Sequence, residues 1–275
     1  MLSSERIKEL ENKVAKSKEI FKQAFARFKA ADTRLIWSGG KDSTLTLWIC
    51  RQFCKETSAP MPKCFTIDEG DAFEEIDAFL KKYTKDWNLQ LDWGRNDDVL
   101  KAAGHKLNAD VTVADLSPRN QAEIKRIGLD LKKFPFEAES YVGNHLMKTV
   151  VFNKYLEDNR VKAVFQGLRW DEQQARKKDE YCDDVATGDL TPAHTRYRPI
   201  LHFAERDIWD ATQHFNIPFC SLYKQGYRSL GAKTTSTKNS DIPAWNQDLE
   251  HTVERAGRRQ DKEAAMERLR KLGYT

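Results

Sequence analysis

The sequence predicts an α/β fold in which helices cover both faces of a doubly wound, mostly parallel sheet. Short apolar runs alternate with longer stretches of helical periodicity, an order typical of parallel strands joined by crossover helices. A glycine-rich turn, Ser-Gly-Gly-Lys-Asp-Ser at 38–43, separates the first apolar run from the next helical stretch. The 275 residues, 40% hydrophobic and 32% charged, suit a soluble globular protein with a sizeable core.

The first half of the chain contains a long leading helix followed by alternating strands and helices. Ser3 and Ser4 can cap the leading helix, and its apolar stripe continues to about Ala30. The elements predicted next are a strand at 34–37, a helix from the glycine turn to about 55, a strand at 63–67, a helix at 73–87, a strand at 89–93 and a helix at 99–106. The polar stretch 108–138 has no clear periodicity and stays unassigned.

The second half continues this alternation and then becomes rich in loops. The predicted elements are a helix at 141–158, a strand at 163–167, a strand at 198–201, a helix at 204–215 and a charged helix at 253–272. Residues 216–248, between the last two helices, lack a periodic pattern. We therefore predict an α/β domain over 1–215 and a loop-rich extension over 216–275 that ends in the charged helix.

The turn at 38–43 has the composition of an anion-binding loop. Gly39 and Gly40 let the backbone approach a phosphate, and the free N–H groups and dipole of a helix N-terminus favour negative charge. Lys41 adds a mobile cation. Three side chains add hydroxyl donors: Ser38, Ser43 and Thr44. The alternative interpretation is an ordinary strand-to-helix turn that is rich in small residues.

The spacing within this turn excludes the usual P-loop, which has a four-residue spacer between its first glycine and its Gly-Lys pair. Here Gly39, Gly40 and Lys41 are consecutive. The segment instead resembles the pyrophosphate loop (PP-loop), Ser-Gly-Gly-x-Asp-Ser, at every position. In that family the loop holds the pyrophosphate that leaves when ATP is cleaved between its α- and β-phosphates.

Two further polar clusters follow predicted strand ends, which places them beside the loop at the carboxyl edge of the sheet. Asp68 and Glu69 follow the second strand, where carboxylates can meet ribose hydroxyls or a magnesium ion. A solvated acidic turn is the alternative. Segment 167–176 follows the fourth strand and contains Arg169 and Arg176, whose forked donors suit phosphate or another oxyanion.

Other charged residues near these clusters are less specific. Asp171 and Glu172 can hold the two arginines in place or bind a metal ion, and a charged helix start is the alternative. Lys148 lies on a predicted helix, where a lysine usually faces solvent. Segment 223–231 is glycine-bearing and basic, so it is either a mobile flap over an anion or a surface loop. The charge run 254–263 has the composition of a solvated helix face.

Composition limits the classes of protein that the chain can belong to. The net charge of +4 is compatible with ATP, acidic substrates or nucleic acid and proves none of them. No apolar run is long enough to span a membrane, and the N-terminus lacks the apolar core of a signal peptide. Five cysteines at scattered spacings argue against a disulfide framework, so we expect a cytoplasmic protein.

In the order and content of these clusters, the chain resembles one branch of the PP-loop ATP pyrophosphatase superfamily. That branch contains the phosphoadenosine phosphosulfate reductases and the small subunit of bacterial sulfate adenylyltransferase, and the adenylyltransferase-like members are the more similar. The resemblance rests on loop 38–43 and on segments 67–70, 147–149, 167–176, 199–209, 217–231 and 254–274. It implies an adenine nucleotide α-hydrolase-like fold, ATP as a substrate and Mg²⁺ as a cofactor.

The resemblance also implies roles for individual residues. Those expected to bind the nucleotide are Ser38, Gly39, Gly40, Lys41, Asp42, Ser43, Thr44, Asp68 and Gly167, with Asp68 near the nucleoside. The candidate catalytic residues are Lys41, Lys148, Arg169 and Arg176. The candidate magnesium ligands are Asp42 and Asp171.

Two departures from the adenylyltransferase-like pattern count against sulfate as the substrate. Many members have Leu-Gly-Cys where this chain has Leu230, Gly231 and Ala232. The segment between the arginine cluster and the predicted fifth strand is also short. A reductase of this family needs a nucleophilic cysteine in a C-terminal Glu-Cys-Gly-Leu-His segment, whereas the last cysteine here is Cys220. We therefore expect the chain not to be a thiol-dependent reductase.

The leading hypothesis is adenylylation of an oxyanion by ATP with release of pyrophosphate. The resemblance names sulfate as the acceptor and implies a GTPase-type partner, because sulfate activation is energetically unfavourable. The second hypothesis keeps the ATP chemistry but activates an oxygen of tRNA or of a DNA backbone for sulfur insertion, with a sulfur-transfer partner. The third is a nucleotide-binding module without turnover.

Overall fold

The computed structural model describes residues 2–188 and 191–258. Its strands are β1 (Thr33–Ile36), β2 (Lys63–Ile67), β3 (Leu91–Gly94), β4 (Asp110–Thr112), β5 (Lys133–Pro135), β6 (Ala163–Phe165), β7 (Cys182–Val185) and β8 (His194–Tyr197). The central sheet has six strands in the order β3-β2-β1-β6-β8-β7. Its neighbouring strands are parallel except β7, which runs antiparallel to β8 at the edge. The predicted mostly parallel sheet is confirmed.

Helices lie on both faces of this sheet, as predicted. They are α1 (Ser4–Arg27), α2 (Lys41–Thr57), α3 (Glu74–Asp86), α4 (Asp97–Ala102), α5 (Pro118–Arg126), α6 (Tyr141–Asn144), α7 (Val150–Asp158) and α8 (Glu205–His214). Leu35 and Phe165 point to one face and pack in a core with α1, α2 and α8. Ile36 and Val164, one residue away, point to the opposite face and pack against α7. The central strands β1 and β6 are therefore buried on both sides.

The position of β1 in the sheet determines where a ligand can bind. Its two neighbours are β2, which follows it in the chain, and β6, which is reached only after a long excursion through β3. The connections therefore leave β1 in opposite directions, and a crevice opens beyond the carboxyl ends of β1 and β6. Doubly wound sheets bind ligands at such a switch point. The glycine turn follows β1, and segment 167–176 follows β6.

Residues 97–150 form a second, smaller core beside the sheet, in the region that sequence periodicity left largely unassigned. β4 pairs antiparallel with β5, and α4, α5 and α6 pack around them. Between α6 and α7 the chain forms a π-helical turn, His145–Thr149, so the predicted helix at 141–158 is continuous but contains a bulge. π-bulges occur frequently at functional sites because they change the direction of the side chains that follow.

One strand predicted in the second half is misplaced, and one strand of the structure was missed. The strand predicted at 198–201 is four residues too late, because β8 ends at Tyr197 and Pro199 has no N–H for a sheet ladder. Ile200 and Leu201 are fully buried in the turn that follows, which explains their apolar character. The antiparallel edge strand β7 was not predicted.

The predicted C-terminal helix is also wrong in its described part. Glu254–Gly257 forms a single 3₁₀ turn, and 259–272 lies outside the described residues. The preceding stretch is loop-rich as expected, with short 3₁₀ turns at Ser221–Gln225, Lys233–Thr235 and Ala244–Asn246. Ile217, Leu222 and Tyr223 nevertheless pack into the same core as the sheet. Within the described residues, no helix is long and apolar enough to cross a membrane.

Candidate functional site

The glycine turn forms a cradle of backbone N–H groups at the switch point. Gly39 adopts a φ of +77°, a left-handed conformation that favours glycine, and its position lies against Ile76 of α3. Gly40 is the N-cap of α2 and supplies no side chain to cap the helix. The first N–H groups of a 17-residue helix therefore have no side-chain cap from within the turn, which suits an anion.

The three hydroxyl groups of the turn have different surroundings. Ser38 is exposed and borders the crevice, and its Oγ lies 3.2 Å from the Oγ of Ser43. Ser43 donates to the carbonyl of Gly40 at 3.1 Å and so helps to hold the turn. Thr44 is buried, and its Oγ1 accepts from the indole N–H of Trp37 at 3.0 Å. Thr44 thus joins the turn to the core and does not face the crevice.

Gly167 brings the end of β6 into direct contact with the start of α2. A Cβ at this position would lie 2.8 Å from the backbone of Asp42 and from the Cα of Ser43. A larger residue would push the end of β6 and the start of α2 apart. Glycine at 167 is therefore required by a close approach of two backbone segments, in addition to any contact with a nucleotide.

Lys41 is buried in a network of charges and is not the mobile cation that its sequence context predicts. Its Nζ lies 2.5 Å from Glu254 Oε1, 3.2 Å from Asp42 Oδ2 and 3.9 Å from Glu205 Oε1. It also donates to the carbonyl of Arg228 at 3.0 Å. Burial opposes the charged form, but these carboxylates outweigh it and raise the pKa of Lys41.

Arg169 lies at the centre of the same network and is fully buried. Its Nε donates to Asp171 Oδ1 at 2.8 Å, and its two terminal nitrogens contact Asp42 and Glu254. Glu254 therefore places one carboxylate oxygen on Lys41 and the other on Arg169. Burial would raise the pKa of Glu254, but the charges of Arg169 and Lys41 lower it to about 2.

The rest of the network comes from segments that sequence reasoning did not single out as a site. Arg228 is buried and donates to Glu205 Oε2 at 2.5 Å. The hydroxyl of Tyr223 accepts from the backbone N–H of Lys41 at 2.9 Å, so the extension also covers the first N–H of α2. Nothing in the local sequence pattern distinguishes these residues from a surface loop. The only signal was the basic, glycine-bearing composition of 223–231, which is compatible with a flap over an anion.

Asp42 and Asp171, the predicted magnesium ligands, serve here as counter-ions. Both oxygens of Asp42 face cations, one Arg169 and the other Lys41. Asp171 accepts from Arg169 with Oδ1 and from the backbone N–H of Glu205 with Oδ2, the latter at 2.8 Å. Within the described part of the chain, no group of three or more metal-binding side chains occurs. This donor set does not fit a protein-held magnesium ion.

Arg176, the second predicted anion-binding arginine, lies at the edge of this network. It is 9% exposed, and its Nε lies 3.2 Å from Glu172 Oε2. Arg255 contacts the other oxygen of Glu172 at 3.1 Å. Burial opposes ionisation of Glu172, but Arg176 and Arg255 lower its pKa. Arg176 therefore shares the carboxylate of Glu172 with Arg255 of the C-terminal segment.

Two cavities flank the turn. The switch-point cavity, of about 180 Å³, extends from Ser38 beneath α7 and is lined by Gln166, Lys148 and His194 among others. Lys148 pairs there with Glu69 at 2.9 Å. A second cavity of about 90 Å³ lies on the α3 side of the turn. It is lined by Ser38, Gly40, Asp68 and Trp93, with Leu230, Gly231 and Ala232 of the extension closing one side.

The structure therefore divides the predicted site residues into three groups. Those that border the cavities are Ser38, Gly40, Asp68 and Lys148. Those that belong to the buried charge network are Lys41, Asp42, Arg169, Asp171 and Arg176. The remaining four hold the turn in shape: Gly39, Ser43 and Gly167 form it, and Thr44 anchors it to the core.

Comparison with known proteins identifies relatives with this architecture. Sulfate adenylyltransferase subunit 2 of Allorhizobium ampelinum is 25% identical over 236 residues, which cover 79% of this chain but 64% of that protein, a little under two thirds of its length. A probable FAD synthase of Schizosaccharomyces pombe is 22% identical over 86% of this chain and 72% of its own. Candida glabrata FMN adenylyltransferase, solved with FAD and inorganic pyrophosphate, superposes with a TM-score of 0.66 at 17% identity, covering 94% and 93% of the two chains.

The model of one protein family matches most of the described fold. The match extends over residues 33–238, from β1 to the loops of the extension, and includes the turn at 38–43, segment 167–176 and both cavities. It covers more than half of the chain. The chain belongs to the phosphoadenosine phosphosulfate reductase domain family.

Proposed function

We propose that this chain transfers the adenylyl group of ATP to an oxyanion and releases pyrophosphate. The observation that carries the proposal is the glycine turn at the carboxyl end of β1, where the N-terminus of α2 meets the switch-point crevice. An anion bound by this turn lies beside a cavity large enough for part of a nucleotide. The names of two relatives, a sulfate adenylyltransferase subunit and an FMN adenylyltransferase, support adenylyl transfer as the reaction class.

The proposed chemistry needs no covalent enzyme intermediate. An oxygen of the acceptor attacks the α-phosphorus of ATP in line, the bond to the α–β bridging oxygen breaks, and pyrophosphate leaves. The N–H groups of Gly40, Asp42 and Ser43 would stabilise the negative charge of the leaving group, whereas that of Lys41 already donates to the Tyr223 hydroxyl. Catalysis then depends on positioning and on charge neutralisation. Magnesium would arrive with the phosphates of ATP, since the aspartates of the network are already paired.

The buried charges next to the turn would influence this reaction. Lys41 belongs to the turn, Arg169 contacts Asp42 of the turn, and Glu254 pairs with both cations. For either cation to contact pyrophosphate, the carboxylate of Glu254 must release at least part of its contact with that cation. Arg176 and Lys148, proposed as further catalytic residues, are likewise paired with glutamates.

The acceptor that we propose first is sulfate, with a GTPase-type partner that makes its activation favourable. Small cavities beside the turn support a compact inorganic acceptor over a bulky one, since the second cavity measures about 90 Å³. Lys148, half of an ion pair at the rim of the switch-point cavity, supplies a cation for it. Ala232 stands where many adenylyltransferase-like members have the cysteine of Leu-Gly-Cys. The experiment below therefore also includes acceptors other than sulfate.

Pyrophosphate release from ATP tests this proposal. The purified chain is incubated with ATP and Mg²⁺ alone, and then with sulfate, FMN, tRNA or DNA, with and without a candidate GTPase. Sulfate-dependent release supports the first acceptor, FMN-dependent release supports another oxyanion, and nucleic-acid-dependent release supports sulfur insertion instead. Tight ATP binding without release under every condition would show a binding module.

Substitutions test whether any observed release of pyrophosphate depends on the candidate site. Lys148→Ala is expected to lower acceptor-dependent release at least about tenfold, because it removes the cation at the rim of the cavity. Lys154→Ala is the matched control, because this lysine lies six residues further along the chain, on α7, and pairs with Asp158 in solvent. Equal loss in both variants would contradict a role for Lys148 in the reaction.

A further inference from the structure

A buried tyrosine of the extension contacts the glycine turn directly. Tyr223 is 2% exposed, and its hydroxyl accepts from the backbone N–H of Lys41, the first N–H of α2, at 2.9 Å. The ring of Trp209 packs edge to face against the tyrosine ring, with 5.1 Å between the centroids. The hydroxyl is therefore held in a fixed position at the N-terminus of α2, although 182 residues separate Tyr223 from Lys41 in the chain.

The proton of this hydroxyl has no acceptor in the described part of the chain. A phenolic hydroxyl both accepts and donates, and the N–H of Lys41 occupies only its accepting side. Burial raises the pKa of Tyr223 above its ordinary value, so the phenol stays protonated and remains a donor. A buried donor that is left unpaired costs about 1–3 kcal/mol, and such donors are rare. The uncommitted proton therefore indicates a ligand atom that accepts from it.

Three hydroxyl groups surround one point beside the N-cap of α2. A Cβ placed on Gly40 would lie 3.4 Å from Ser38 Oγ and 3.9 Å from Ser43 Oγ. The hydroxyl oxygen of Tyr223 would lie 3.5 Å from the same Cβ. Ser43 donates its own proton to the carbonyl of Gly40, and Ser38 lies 3.2 Å from Ser43, which can accept from it. Tyr223 thus supplies the hydroxyl of the three whose proton is not committed within the turn.

We propose that Tyr223 is a ligand-binding residue of the anion site and donates a hydrogen bond to the pyrophosphate group held by the turn. This inference rests on the proposed release of pyrophosphate. By accepting from the first N–H of α2, the phenol connects the helix N-terminus to the anion, and hydrogen bonds in such a chain strengthen one another. Tyr223 keeps its proton throughout. The extension thereby supplies part of the anion site in addition to the turn.

The alternative role for Tyr223 is that of a structural cap. In that case the hydroxyl only satisfies the N–H of Lys41, and its proton makes no contact with the ligand. Removing the hydroxyl would then free this N–H for an anion, so pyrophosphate would bind equally well or more tightly. Donation predicts the opposite sign, because a hydrogen bond to a charged group is lost.

Calorimetric titration of the purified chain with inorganic pyrophosphate distinguishes the two roles. For Tyr223→Phe, which keeps the ring, we expect a dissociation constant about tenfold higher than that of the wild type. Tyr227→Phe is the matched control, because Tyr227 lies on the same extension, packs its ring against Phe73 and makes no hydroxyl hydrogen bond within the described residues. Its dissociation constant should match that of the wild type. An unchanged or lower dissociation constant in Tyr223→Phe would overturn the inference.

Fluorination of the same phenol tests donation without removing the hydroxyl. Incorporation of 3-fluorotyrosine in place of Tyr223 gives a stronger donor and a weaker acceptor, because fluorine withdraws electrons from the ring. We expect pyrophosphate to bind several-fold more tightly to this variant at pH 6, where the phenol stays protonated. Equal or weaker binding would contradict donation. This variant also provides the decisive measurement if Tyr223→Phe does not fold, as judged by near-ultraviolet circular dichroism.

Pyrophosphate release from ATP separates this inference from the proposed function. Release by the wild type and by Tyr223→Phe at equal rates, with equal affinity for pyrophosphate, would leave adenylyl transfer standing and overturn the inference. Weaker pyrophosphate binding in Tyr223→Phe, without release from ATP by either protein, would uphold the hydrogen bond and contradict turnover.

Discussion

The carboxylate of Glu254 lies 2.5 Å from the Nζ of Lys41, although 213 residues separate them in the chain. Its second oxygen contacts Arg169, which follows β6. The C-terminal segment therefore neutralises one cation from each side of the switch point. This arrangement joins the extension to the candidate site by charge, and it places a carboxylate where a phosphate would otherwise meet both cations.

Replacing Glu254 by glutamine is expected to strengthen the binding of inorganic pyrophosphate. The substitution keeps the shape of the side chain but removes one negative charge from Lys41 and Arg169, so the potential at the turn becomes more positive. We expect the pyrophosphate dissociation constant, measured by calorimetry at constant ionic strength, to fall about tenfold. Glu250→Gln is the control, since Glu250 pairs with Arg206 at the surface. Weaker binding in Glu254→Gln would show that the carboxylate positions the cations for the ligand.

The same substitution is expected to destabilise the fold in a pH-dependent manner. The pKa of Glu254 is about 2 in the folded protein against 4.5 as its ordinary value. A lowered folded-state pKa contributes stability that is present above the unfolded pKa and is lost as the pH falls towards the folded one. That contribution is on the order of 3 kcal/mol at neutral pH.

Denaturant unfolding at a series of pH values measures this contribution. The difference in the free energy of unfolding between the wild type and Glu254→Gln is expected to be constant from pH 7 to about pH 5 and to shrink below it. Comparison of the two proteins removes the titration of the other carboxylates. A difference that does not change with pH down to 3.5 would contradict the ion pairs assigned to Glu254.

Gly167→Ala is expected to disturb the turn through its backbone. The new Cβ would lie 2.8 Å from the backbone of Asp42 and Ser43, so β6 and α2 must separate. Overpacking of this kind costs about 1–3 kcal/mol and displaces the N-terminus of α2. We expect a lower melting temperature and weaker pyrophosphate binding. In the control Gly188→Ala, the nearest heavy atom to the added Cβ is 3.8 Å away, and both measurements should match the wild type.

Removal of cysteines is expected to leave pyrophosphate release intact. Cys220 is buried among the core residues of the extension, and burial raises the pKa of its thiol. Cys182 is partly exposed on β7, away from the turn in the sheet order. Acceptor-dependent release by Cys182→Ala and Cys220→Ala should stay within about twofold of the wild type, since in-line transfer needs no thiol. A loss of more than tenfold in either variant would indicate thiol chemistry.

The sequence predicted those features of the fold that depend on local pattern. Loop 38–43 predicted the end of β1 and the start of α2, because glycine, lysine and a following apolar stripe occur together there. The strand at 198–201 was misplaced because Ile200 and Leu201 are buried in a turn. Buried positions favour apolar residues whether or not they lie in a strand, so an apolar run alone does not identify one. The π-helical turn at His145–Thr149 has no signature in side-chain periodicity.

The candidate site was predictable only where its residues lie next to strand ends. Arg169 and Asp171 follow β6 and were identified, although Arg169 is fully buried and the exposed Asp171 is paired with it. Glu254 was read as part of a solvated helix face, because its partners Lys41 and Arg169 are contributed by distant segments.

The most direct test of adenylyl transfer follows the α-phosphate of ATP. The purified chain is incubated with ATP labelled at the α-phosphate, Mg²⁺, inorganic pyrophosphatase and sulfate or another oxyanion, and the products are separated by chromatography. The account predicts that the label moves to an adenylylated acceptor and that two phosphates per product are released through pyrophosphate. Label recovered in ADP, or no acceptor-dependent product with any oxyanion, would contradict it.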